Sequence, residues 1–164
     1  MNGSKNNNKM KLKTKLINYI NKNGKNVCVR NLKTKEVLNY SFKIKDFDYK
    51  LNEEQEKYVK DKLEEYEEEI IYAIDNLMQD LNSRQSVIQF RVLQEYPNCC
   101  ISIQFIIRNS KLYSIVTSRS LDVKSKLECD IEITRKISDK ICKKLNIELK
   151  EILFNVVSMH YYLK

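Results

Sequence analysis

Tryptophan is absent from these 164 residues, proline occurs once (Pro97), and glycine occurs twice, at Gly3 and Gly24. So few chain breakers leave little room for flexible internal linkers, and the length is that of about one domain with its own core. No apolar run approaches the ~20 residues that a membrane-spanning helix needs. The N-terminus, MNGSKNNNKMKLK, lacks the apolar stretch of a secretory signal, so the expected compartment is a reducing cytoplasm. Histidine is nearly absent too, with His160 alone. One histidine, an odd count of five cysteines and no Cys-x-x-Cys pair exclude the usual structural zinc site and disulfide framework. The thiols are expected mostly as small buried apolar groups, with Cys129 and Cys142 in the core.

The charge that is present is uneven. The formal net charge is +8. Residues 1–45 hold twelve Lys/Arg against the single acid Glu36, residues 46–80 hold four against thirteen Asp/Glu, and the remainder holds fourteen against eight. A basic chain invites nucleic acid. The acidic middle segment interrupts any continuous phosphate-tracking face, so polymeric DNA or RNA is not the expected partner.

Hydrophobic spacing sets out the elements. Residues 1–9 are expected as a disordered tail ahead of a single domain over 10–164. Leu12, Leu16, Tyr19 and Ile20 predict a helix over 10–23, ended by Lys22-Asn23-Gly24-Lys25 with Gly24 suited to a C-terminal cap. Extended structure starts at Val27 and Val29, and the alternation of Leu38, Tyr40, Phe42 and Ile44 predicts a half-buried strand. Val59, Leu63, Tyr66, Ile70, Ile74, Leu77 and Leu81 step by three or four, predicting one helix over 53–81 with an acidic, solvated outer face. Strands follow over 87–92, 100–107 and 112–117, the last entered through the turn Arg108-Asn109-Ser110-Lys111. A helix over 130–145 and a strand over 152–157 complete the order α, β, β, α, β, β, β, α, β. That order gives an α+β fold, a mixed or largely antiparallel sheet backed by helices.

One cluster carries chemistry. Ser118-Arg119-Ser120-Leu121-Asp122 is placed just beyond a strand. The planar Arg fork holds a phosphate in two hydrogen bonds and the Ser hydroxyl adds a donor. A surface salt bridge would explain the same string equally well, and the Cys99-Cys100 pair read alone is structural. Taken in order, Cys99-Cys100-Ile101-Ser102-Ile103-Gln104-Phe105, Asn109-Ser110-Lys111-Leu112, Arg119-Ser120-x-Asp122-Val123 and His160-x-Tyr162 resemble the thymidylate synthase family. Upstream, Asn82-Ser83-Arg84 is similar to the family's Ser-Arg-Arg, with Gln85 in place of the second Arg. Arg30 with the strand to Phe42 resembles its N-terminal phosphate loop.

The resemblance implies a thymidylate-synthase-like sheet and a homodimer packed sheet to sheet. Arg119, Ser120 and Arg30 would hold a nucleotide 5′-phosphate, with Arg84 reaching across from the partner, and Gln104 and Asp122 would belong to the same nucleotide site. His160 and Tyr162 would bond the sugar hydroxyl. Asp130 stands where thymidylate synthases carry an Asn that reads uracil, and an Asp there resembles the cytosine-acting hydroxymethylases; read alone, Asp130 is a helix N-cap. Cys99 would attack C6 of the pyrimidine and make C5 nucleophilic towards the carbon of methylenetetrahydrofolate.

The departures fall on the folate side. Only two residues follow Tyr162, the stretch between residue 44 and the acidic helix is too short for the family's helix with a catalytic Glu and a Trp, and the turn after Asp122 is Lys124-Ser125-Lys126-Leu127-Glu128 without Gly or Pro. The leading expectation is therefore a nucleotide binder without turnover and without a cofactor, of the kind a virus or mobile element would use to sequester a nucleotide or a nucleotide-derived signal. The alternative is a pyrimidine nucleotide C5 methyl- or hydroxymethyltransferase acting through Cys99 with methylenetetrahydrofolate. A basic protein associated with nucleic acid is the third reading.

Overall fold

The computed structural model describes residues 6–44, 50–90 and 98–163. Its elements run α1 (Asn6–Asn23), β1 (Lys25–Val29), β2 (Leu32–Ile44), α2 (Glu53–Glu65), α3 (Glu67–Gln79), β3 (Val87–Gln89), β4 (Cys100–Arg108), β5 (Lys111–Asp122), α4 (Leu127–Leu145) and β6 (Glu148–Tyr162). Residues 1–5 of the expected tail lie outside the described residues, as do residues 91 and 92 of the strand expected over 87–92.

The strands form one mixed sheet in the order β1-β2-β6-β5-β4-β3. Every neighbouring pair is antiparallel except β5 and β6, which run parallel because α4 carries the chain back between them. The strand alternation puts Phe42, Phe154, Val116, Ile103 and Ile88 in one row across five strands, all buried. The Phe42 and Phe154 rings stack at 5.2 Å in that row. The helices cover this face: α1 packs on β2, α3 on β3, α4 on β5 and β6, and α2 on α4. A buried hydroxyl pair, Ser114 on β5 and Ser138 on α4 at 2.7 Å, fixes that helix over its strand. This is the α+β architecture expected. No helix among the described residues is long and apolar enough to cross a membrane.

Three local expectations are corrected. The helix expected over 53–81 is two helices that break at Tyr66, whose backbone leaves the helical region at φ −115° and ψ 26°. Tyr66 is fully buried, edge-on to Phe90 at 4.7 Å, and its hydroxyl accepts from the Asn98 amide at 2.7 Å. The bend drops that ring into the core, and Leu81, beyond the end of α3, is exposed. Gly24 does end α1 as expected, its amide donating to the Ile20 carbonyl at 2.8 Å, but without a left-handed φ. It is required by close approach instead, since a Cβ there would stand 2.5 Å from the Ile20 carbonyl oxygen. The thiols are less buried than expected: Cys129 is in the core, Cys100 and Cys142 are half-buried, and Cys28 and Cys99 are exposed. The strands β5 and β6 extend beyond their expected ends at 117 and 157, so Arg119, Ser120, Asp122, His160 and Tyr162 are strand residues.

Candidate functional site

The parallel pairing of β5 and β6 brings two separated motifs into register. Ser120 lies opposite Ser158, and Asp122 opposite His160. On the other side of β5, the Arg119 amide donates to the Cys99 carbonyl at 2.9 Å. On the other side of β6, His160 and Tyr162 pair with Glu36 and Thr34 of β2. The β1–β2 hairpin turns at Arg30 and Asn31, both with positive φ, between Val29 and Leu32. One end of the sheet therefore gathers Arg30, Cys99, Arg119, Ser120, Asp122, His160 and Tyr162.

A cavity of about 450 Å³ opens there. Its walls include Cys99, Ser120, Asp122, Asp130, His160 and Tyr162, six of the residues the sequence marks. Arg30, Arg84, Gln104 and Arg119 are not brought into its lining. Arg119 is at the rim, where its Nε donates to the carbonyl of Asn98, a wall residue, at 3.1 Å. Gln104 points to the sheet face away from the helices, and its amide donates to the Arg84 carbonyl at 2.8 Å. That leaves Arg84 exposed beside the outer face.

Within the cavity, the Ser120 hydroxyl donates to the Cys99 sulfur at 3.2 Å. The Asp122 carboxylate accepts from the Lys124 amide at 3.0 Å and from the Ser125 hydroxyl, so it braces the turn into α4. The imidazole of His160 lies edge-on to the Tyr162 ring at 5.5 Å, and the neighbouring Ser158 hydroxyl donates to Glu36 at 2.5 Å. Asp130 is not the N-cap. Lys126 is, and Asp130 sits in the first turn of α4, where its amide donates to the Lys126 carbonyl at 3.0 Å. Burial pushes its carboxyl up to about 7, with the Lys126 ammonium pulling the other way. Burial, followed by the Asp130 charge, also pushes the Cys100 thiol strongly upward, so this second thiol is a neutral wall group.

The profile of the thymidylate synthase family matches residues 8–164. The chain belongs to the thymidylate synthase family. Comparison with individual curated proteins gives no match. Thymidylate synthase family members bind a nucleotide and work as dimers, and the active ones use methylenetetrahydrofolate. The described walls fit one nucleotide-sized ligand, since drug-sized ligands fill about 300–1,000 Å³.

Tyr58, Lys62, Phe90, Asn98 and Lys126 also line the cavity and carry no motif. Tyr58 and Lys62 belong to the helix whose apolar stripe the sequence reveals, but they flank that stripe. Only the packing of α2 on α4 shows which of its polar faces meets the sheet end.

Proposed function

We propose that the chain binds a phosphorylated pyrimidine nucleotide at the sheet end and holds it without turnover. Arg119, Ser120 and Arg30 take the phosphate, His160 and Tyr162 the sugar hydroxyl, and Asp130 the base. Arg84 comes from the second subunit of a homodimer. The observation that carries this reading is the convergence at one sheet end of three far-separated motifs, Cys99, Arg119-Ser120 and His160-x-Tyr162, around a cavity of nucleotide size. Holding rather than turnover is favoured by the departures on the folate side: no Trp occurs in these 164 residues, and the turn after Asp122, Lys124-Ser125-Lys126-Leu127-Glu128, carries neither Gly nor Pro. Native mass spectrometry against a panel of mono-, cyclic and dinucleotides tests it. A retained pyrimidine nucleotide, lost in Arg119→Ala, is the expected result; no nucleotide retained from the panel overturns it.

A second reading is favoured by one observation. Asp130 near pKa 7 sits in the same cavity as Cys99, and an acid–base group works best near the ambient pH. The Cys99 thiolate would add to C6 of the pyrimidine, the C5–C6 π pair would move onto C5, and Asp130 would protonate C5. Reversal with the other C5 hydrogen leaving gives exchange at C5. Release of tritium from C5-labelled nucleotide, abolished by Cys99→Ala, supports turnover; retention of the label by a protein that binds the nucleotide removes it.

A further inference from the structure

Tyr58 occupies the wall of the cavity that α2 contributes, on the same cavity surface as Cys99 and Asp130. Two features hold its ring there. The Lys126 ammonium sits over the ring, 4.5 Å from its centroid, a distance at which the cation is attracted to the aromatic face. Lys126 is itself anchored by its backbone: its amide donates to the Asp122 carbonyl at 2.9 Å and its carbonyl accepts from Asp130. The ring is thus tied to the junction of β5 and α4, the junction that carries Asp122 and Asp130.

The Tyr58 hydroxyl is left for something else. It makes no hydrogen bond among the described residues. Burial, then the carboxyl of Asp130, then the thiols of Cys129 and Cys99 push its pKa upward, so it stays a neutral donor. The surrounding wall is apolar, with Phe90, Ile103, Val116, Leu121 and Ile133. A neutral donor in an apolar wall beside a carboxyl suits a flat, uncharged ring carrying a carbonyl, and it disfavours a phosphate.

We propose that Tyr58 reads the base of the bound nucleotide, its hydroxyl donating to a ring carbonyl from the side opposite the β4–β5 wall, with Lys126 as the positioning residue that holds the ring. The role rests on the nucleotide reading of the cavity and adds the residue that selects a carbonyl-bearing base. Uracil and cytosine each present a ring carbonyl, and adenine presents none.

Isothermal titration with UMP, dCMP, AMP and ribose 5-phosphate tests it. In Tyr58→Phe the affinity for UMP and dCMP falls about tenfold, the worth of one neutral hydrogen bond. The affinity for ribose 5-phosphate is unchanged, because the phosphate and sugar contacts are intact. AMP binds more weakly than UMP to the wild type and loses nothing in Tyr58→Phe. Lys126→Met weakens UMP binding by a larger factor in the wild type than in Tyr58→Phe, where only its charge effect on Asp130 remains. If the wild type binds none of the nucleotides, the nucleotide reading falls and this role with it. If it binds them and Tyr58→Phe binds UMP equally well, or loses ribose 5-phosphate to the same degree, the base-reading role alone is overturned.

Discussion

Asp130 is a carboxyl that the folded chain keeps partly protonated near neutrality. Its pKa is about 7 against an ordinary 3.8, and the cause is burial. In the unfolded chain the group is ionised above about pH 4, so between about pH 4 and 7 the folded state binds more protons than the unfolded one. Stability from this group is fully present below about pH 4, declines as pH rises, and is lost above about pH 7, by an amount on the order of 4 kcal/mol. Asp130→Asn removes the penalty and the pH slope. Urea denaturation at pH 5 and pH 8 is expected to show the variant gaining more at pH 8; an equal gap at both pH values would mean that burial does not act on this carboxyl. The residue type and its spacing from Arg119 are plain in the sequence. Its place one turn inside α4 is not, because Lys126 lacks the side chain of a usual N-cap and only the strand extension to Asp122 fixes where the helix begins.

Turns and breaks decide the elements. The β4–β5 turn has positive φ at both Asn109 and Ser110, 52° and 56°, the geometry of a two-residue hairpin loop that favours Asn-Gly. A serine there carries the steric cost of the left-handed region, so Ser110→Gly is expected to stabilise by about 0.5–1 kcal/mol, read as a raised melting temperature. The turn was legible in the sequence because Asn-Ser separates two alternating runs. The break at Tyr66 was not, since the apolar stripe continues through it with an unbroken period of three and four. Its cause is long-range: the ring needs Phe90 and the hydroxyl needs Asn98. Tyr66→Phe is expected to cost about 1 kcal/mol for the hydrogen bond, and Tyr66→Ala about 3–5 kcal/mol for the cavity as well. Matching losses in the two variants, by urea denaturation, would show that the ring is not what holds the bend.

At the scale of the whole molecule, the sheet has a second face that no described helix covers. Its middle is apolar: Ile106 pairs with Tyr113, and Ile115 lies between Gln104 and Leu153, all half-buried, with Val157 exposed at 50%. Apolar surface of this kind in the middle of a sheet favours association, and Gln104 tethers the backbone of Arg84 to its margin. A sheet-to-sheet dimer would bury this face and bring Arg84 towards the partner's sheet end. Ile115→Asp, a charge at the centre of that contact, is expected to give monomers by sedimentation and at the same time to weaken nucleotide binding. Arg84→Ala is expected to weaken binding while leaving the dimer intact. The decisive form of the test combines two defects. In a dimer of one Arg84→Ala chain and one Arg119→Ala chain, one site carries both defects and the other carries neither, provided that Arg84 acts across the interface. Equal mixing and re-association make about half of the dimers mixed, so about a quarter of all sites regain full affinity. If Arg84 acts within its own chain, every site in the mixture stays defective, and titration of the mixture finds no tight-binding fraction.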